Sequence, residues 1–142
     1  MDDLDSIYTD VIMEHSTATY NKHKLQDATN SEHGHNPSCG DDITLEIKKD
    51  VDIITYLAFT GHGCAISQAS TSIMIDLLKG KTVEQATKLI SIFIRMIKRE
   101  NVSEEELNEL EEAQALKNIS NMPARVKCAE LAWYTMQKLL EK

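Results

Sequence analysis

The hydrophobic period of this chain changes at Gly61-His62-Gly63, and that change fixes most of what the chain can fold into. Before it, Ile43, Leu45 and Ile47 alternate with Thr44, Glu46 and Lys48, the mark of a strand with one buried face. The polar Lys49-Asp50-Val51-Asp52 reads as a turn, and Ile53 to Thr60 is rich in β-branched and aromatic residues, so an antiparallel hairpin is predicted. After the glycines, Ile66, Ala69, Ile73 and Leu77 recur at helical spacing as far as Gly80, a residue suited to ending a helix. A hairpin must therefore feed directly into a helix, with Cys64 at the junction.

Leu4, Ile7, Tyr8, Val11 and Ile12 predict an amphipathic helix running to about His15. From Ser16 to Pro37 the chain is polar and without period, which predicts loop with room for one short edge strand. Thr82 and Gln85 form a capping box ahead of the cleanest helical stripe, Ala86, Leu89, Ile90, Phe93, Ile94 and Ile97. Ser103 and Glu106 repeat that box and open an acidic helix over 103–117, read as a solvated face with carboxylates near the positive end of the helix dipole. Pro123 suits the first turn of a last helix, whose stripe is Val126, Ala129, Trp133, Met136 and Leu140. The expected fold is α+β: a small antiparallel sheet of two to three strands covered by about five helices, with 1–142 as one domain.

At 142 residues such a chain can bury roughly two thirds of its unfolded surface, so it needs neither disulfide nor metal merely to fold. No apolar run approaches a bilayer span, and the first residues are acidic where a secretory or transit peptide would be basic, so a cytoplasmic, membrane-free protein is expected. A net charge of −8 argues against binding phosphate backbones, which leaves nucleic acid an unexpected partner. With an odd count of 3 cysteines, a disulfide framework is not expected.

Those cysteines stand at distinctive places. Cys39 lies in Asn36-Pro37-Ser38-Cys39-Gly40-Asp41, Cys64 follows Gly61-His62-Gly63, and Cys128 ends Pro123-Ala124-Arg125-Val126-Lys127-Cys128. Pro37 and Gly40 predict a tight turn presenting Cys39 and Asp41, while the glycines around His62 permit backbone conformations closed to other residues. Three thiolates and one carboxylate suit zinc, with a surplus of negative charge that Arg125, one helical turn before Cys128, is placed to relieve. The ligands do not come in the close pairs of zinc fingers, and free cysteine often serves only as a small buried hydrophobe. On residue context alone a shared metal site and three unrelated thiols both stand. His62, next to Cys64, is read as an exposed loop residue, with a donor beside the ligands or an alternative ligand as the other reading; His33 and His35 are read as loop residues and Trp133 as core.

At its cysteine motifs the chain resembles the U-type iron–sulfur cluster assembly proteins, the family of NifU N-terminal domains, IscU and SufU. The segments carrying the resemblance are Asn36 to Asp41, Gly61-His62-Gly63-Cys64-Ala65-Ile66-Ser67, and Pro123 to Trp133. Two features are most similar to the SufU branch: Lys127 stands where IscU has a histidine before the third cysteine, and the acidic stretch 101–121 matches an insertion that IscU lacks. Met122-Pro123-Ala124-Arg125-Val126-Lys127 replaces IscU's Leu-Pro-Pro-Val-Lys chaperone motif, and Tyr20-Asn21-Lys22-His23-Lys24 replaces a Pro-Arg-Asn-like sequence.

The resemblance implies a SufE/NifU-like fold and a zinc-bound sulfur acceptor, a sulfurtransferase taking persulfide sulfur from a pyridoxal-phosphate cysteine desulfurase. It implies Cys39, Asp41, Cys64 and Cys128 as metal ligands, Cys39 as the acceptor and Arg125 beside them. A downstream cluster scaffold or apo iron–sulfur proteins would receive the sulfur. An alternative is a scaffold on which a [2Fe–2S] cluster or iron is assembled on the same cysteines. An adaptor with a purely structural zinc is the second alternative. The deaminase pattern, which needs a Cys-x-x-Cys pair, is missing.

Overall fold

The computed structural model describes residues 3–142, with side chains from Tyr8 onward. Leu4 and Ile7 of the predicted first stripe lie outside the described side chains. In chain order the elements are α1 (Asp3–Thr17), β1 (Asn30–Asn36), β2 (Asp41–Asp50), β3 (Ile53–His62), α2 (Ala65–Leu78), α3 (Val83–Ile97), α4 (Glu104–Glu109), a 3₁₀ segment (Glu111–Asn121) and α5 (Pro123–Leu140).

The three strands form an antiparallel sheet in the order β1-β2-β3. On β2 the alternation is complete: Asp41, Ile43, Leu45 and Ile47 are buried, and the residues between them are half-buried. Leu57 and Phe59 of β3 join them on the inner face, against α2 and α5. Each fully buried leucine or isoleucine there contributes about 1.5–3 kcal/mol relative to an exposed one. α3 reaches the same core through Phe93, whose ring stacks on Trp133 of α5 at 3.8 Å and 6°. Trp133 Nε1 donates to Ser70 Oγ at 2.9 Å, and that hydroxyl donates to the Ala129 carbonyl at 2.6 Å, so the indole's polar edge is satisfied inside the core.

Two sequence expectations need correction. The short edge strand expected within Ser16–Pro37 is β1, but His33 and His35, expected in a loop, are residues of that strand, and His62, also expected in a loop, ends β3. β1 has no apolar side chains to alternate; it turns Gly34 and Asn36 inward instead. Gly34 lets α5 come close, for any Cβ there would collide with Thr135 and approach Leu131. The acidic helix also ends early, at Glu109, and Glu111 takes φ +50 as the chain tightens into the 3₁₀ segment. The reason is a spacing of three: Leu110, Ala113, Leu116 and Ile119 are all buried, and a 3₁₀ helix with three residues per turn puts them on one face.

Candidate metal centre

The β1–β2 hairpin closes where Asn36 pairs with Asp41. Within it the Cys39 N–H donates to the Asn36 carbonyl and the Ser38 N–H to Asn36 Oδ1, both at 3.3 Å. Gly40, at φ +70, swings the chain back into β2. This leaves Cys39 half-exposed at the tip and Asp41 fully buried at the start of β2, on the face that meets the helices.

Asp41 is held on both sides. Its Oδ1 accepts the Cys64 N–H at 2.9 Å and its Oδ2 accepts from Asn36 Nδ2 at 3.3 Å. The two glycines around His62 serve different purposes: Gly61 adopts φ +120, whereas Gly63 leaves space, since a Cβ there would stand 2.6 Å from Asp41 Oδ1 and 3.2 Å from Ser67 Oγ. Cys64 is the N-cap of α2, and its Sγ accepts the Ser67 N–H at 3.4 Å. Ser67 Oγ beside it is buried without a hydrogen-bond partner.

Cys128 comes from the start of α5 and is 1% exposed. Its Sγ lies 2.8 Å from Cys39 Sγ and 3.9 Å from Asn36 Nδ2. Burial, then hydrogen bonding with Cys39 and Cys64 and the charges of Cys64 and Asp41, push the Cys128 thiol far up. Arg125 hydrogen-bonds Cys128 and lies in the field of Cys64, Cys128 and Cys39, which together raise its guanidinium above the usual range. All three cysteines are free thiols.

Cys39 Sγ, one Asp41 carboxylate oxygen and Cys128 Sγ lie within 4.8 Å of one another. Cys64 falls outside that tight set, but it is close enough to hydrogen-bond Cys128. The donors fit zinc chemically, and an ion among them would draw the protons off the thiols. Two sulfurs sharing one zinc stand about 3.7 Å apart, given ~2.3 Å bonds at the tetrahedral angle. Cys39 Sγ and Cys128 Sγ are near neighbours, as two ligands of one ion must be. Asn36, which touches both Asp41 and Cys128, was not among the predicted site residues; an asparagine just before the turn proline was the available signal.

His33, His35 and His62 lie on the outer face of the sheet, away from this cluster. His62 pairs across to Asp42 and is exposed. His33 Nε2 is 2.8 Å from Asp42 Oδ1 and His35 Nδ1 is 3.5 Å from Asp42 Oδ2, and these histidines hold the Asp42 carboxyl below its usual range. A shallow cleft opens beside Cys39, lined by Ser38, Pro123, Ala124, Arg125 and Lys127.

Comparison with known proteins gives consistent matches. The family model described as "NifU-like N terminal domain" covers residues 7–142. The "Iron-sulfur cluster assembly scaffold protein IscU" of Thermotoga maritima is 39% identical over 136 residues, covering 96% of this chain and 94% of that protein. The "Zinc-dependent sulfurtransferase SufU" of Bacillus subtilis is also 39% identical, over 139 residues, with 98% and 92% covered. A crystal structure from Fervidobacterium islandicum AW-1, described as a candidate iron–sulfur cluster assembly scaffold of its SUF system, superposes with a TM-score of 0.88 at 37% identity, covering 95% of this chain and 97% of that one.

Proposed function

This chain belongs to the NifU-like N-terminal domain family of iron–sulfur cluster assembly proteins, and from that premise we propose that it is a zinc-bound acceptor of persulfide sulfur. The observation that carries the reading is the unequal exposure of the clustered ligands: Asp41 is 0% and Cys128 1% exposed, while Cys39 is half-exposed on a hairpin tip beside an open cleft. Of the three sulfurs Cys128 stays inside, Cys39 and Cys64 are both half-exposed, and Cys39 is the one that borders the cleft.

In this reading Cys39, Asp41, Cys64 and Cys128 hold the ion. Bound zinc supplies a redox-inert charge that keeps clustered thiols deprotonated near neutral pH. The Cys39 thiolate attacks the outer sulfur of a persulfide on a pyridoxal-phosphate cysteine desulfurase. A new S–S bond forms at Cys39, the donor's S–S bond breaks, and the donor cysteine leaves as a thiolate, so no outside oxidant or reductant is needed. Arg125, already hydrogen-bonded to Cys128, offsets the negative charge that gathers as the thiols ionise. Asp41 is held by the Cys64 N–H and the Asn36 side chain, which fixes the floor of the site. Apo iron–sulfur proteins or a downstream scaffold then take the sulfur. Among the described residues no helix is long and apolar enough to cross a membrane, and the reading places the protein in the cytoplasm.

The relatives carry both names, scaffold and zinc-dependent sulfurtransferase, and the same cysteines serve a cluster scaffold equally well. Metal analysis of freshly purified protein separates the two. A colourless protein with zinc that raises desulfurase turnover supports the acceptor. A brown, iron- and sulfide-containing protein that leaves turnover unchanged overturns it in favour of the scaffold.

A further inference from the structure

A second group of metal-ligating side chains lies at the far end of α2 from the cysteines. His15 of α1, Asp76 of α2 and Glu112 of the 3₁₀ segment bring one donor atom each within 4.8 Å of one another. His15 is only 5% exposed, and its Nδ1 is fixed by Ser72 Oγ at 2.8 Å. That leaves Nε2 aimed at the two carboxylates, 3.5 Å from Glu112 Oε1 and 3.8 Å from Asp76 Oδ2. Both are ion-pair distances, and neither is a close hydrogen bond.

We propose that His15, Asp76 and Glu112 form a second divalent-cation site, built for nitrogen and oxygen donors and separate from the cysteine centre. The donor spacing suits an ion better than a direct contact. Ligands about 2.0–2.1 Å from a tetrahedral zinc stand roughly 3.3 Å apart, so the two histidine–carboxylate gaps of 3.5 and 3.8 Å need to close by no more than about half an ångström. The supporting shell is also in place. The contact of Nδ1 with Ser72 Oγ orients the imidazole so that Nε2 faces the carboxylates. Asp76 is positioned by Tyr20 Oη, which donates to Oδ2 at 2.7 Å, and by Asn21 Nδ2, which donates to Oδ1 at 2.9 Å.

Charge points the same way. The adjoining cavity is lined by Ile73, Asp76, Leu77, Glu111, Glu112 and Ala113, a set with three carboxylates and no lysine or arginine. A divalent ion would neutralise His15, Asp76 and Glu112 as a set and leave at least one coordination position for water. Donors from α1, α2 and the 3₁₀ segment would then be joined by one ion. Asp76 lies twelve residues beyond Cys64, about 18 Å along the helix axis, so the two centres share no ligand.

Zinc stoichiometry of the full chain, by titration against a chromophoric chelator, tests this. Glu112 is the variant position of choice, being exposed and outside the core. Glu112→Gln should bind one zinc fewer than the wild type, Tyr20→Phe should bind the second zinc roughly 10–100-fold more weakly, and a His33→Ala/His35→Ala variant should match the wild type. The proposal is overturned if Glu112→Gln and the wild type bind equal amounts, or if the His33/His35 variant is the one that loses an equivalent. The count is a difference between variants, so it stands whether the cysteine centre holds zinc or a cluster.

Discussion

The main-chain N–H of Cys64 donates to Asp41 Oδ1 over 2.9 Å, so one carboxylate both faces the sulfurs and holds the start of α2 in place. Asp41→Ala therefore removes more than a proposed metal ligand. We expect it to lower stability by about 1–3 kcal/mol even in chelator, because the Cys64 N–H and the Asn36 amide lose their acceptor. Asp41→Asn keeps an oxygen for Cys64 and should recover most of that loss while still weakening metal binding. Urea denaturation of the three proteins in chelator checks both expectations; equal midpoints would show that the bond does not matter to the fold.

Gly63 makes the same carboxylate's position a matter of space. A methyl group there would sit 2.6 Å from Asp41 Oδ1, and the carboxylate would have to move. Gly63→Ala should cost about tenfold or more in zinc affinity, with circular dichroism unchanged. Competition with a chelator of known affinity measures it, and wild-type affinity in the variant would show that Asp41 takes no part in binding.

Val51, in the turn between β2 and β3, is 88% exposed yet adopts φ +56. A β-branched residue is strained there, and asparagine tolerates the left-handed region far better. Val51→Asn should stabilise the protein by about 1 kcal/mol, or about 3 °C in Tm. An unchanged or lower Tm would contradict the strained turn.

Glu106 is the acid-sensitive group. The hydrogen bond from Arg95, then that from the Ser103 backbone, lower its carboxyl from 4.5 to about 2. A lowered folded-state value means that the stabilisation is complete above the unfolded value and is lost as pH falls through the folded one. The stability gap between wild type and Glu106→Gln should thus be constant at neutral pH and shrink between pH 4.5 and about 2. Denaturation midpoints across that range test it, and a gap that widens with acid would reverse the assignment.

The parts of the fold that were legible in the sequence are those whose burial is apolar. Ile43, Leu45 and Ile47 announce β2, and the α3 stripe from Ala86 to Ile97 is buried along its length as expected. Both predicted capping boxes, Thr82 with Gln85 and Ser103 with Glu106, are formed. β1 was expected only as a short edge strand without bounds, because its inward positions are Gly34 and Asn36, which pack by closeness and hydrogen bonding rather than by hydrophobic area. The 3₁₀ segment was readable from Leu110, Ala113, Leu116 and Ile119, but a run of glutamates hid the spacing. At the site, the motifs marked Cys39, Asp41, Cys64, Cys128 and Arg125, whereas their approach in space depends on contacts far apart in the chain, such as Asn36 to Cys128. The His15 group was invisible for the same reason, since its members lie on three separate elements.

The most direct test of the central claim locates the transferred sulfur. Incubate the zinc-loaded protein with a cysteine desulfurase and cysteine, trap persulfides by alkylation, and map them by peptide mass spectrometry in the wild type and in Cys39→Ala. The account predicts a persulfide on Cys39 in the wild type and neither persulfide nor raised desulfurase turnover in the variant. Persulfide carried on Cys64 or Cys128, or full stimulation of the desulfurase by Cys39→Ala, would contradict it.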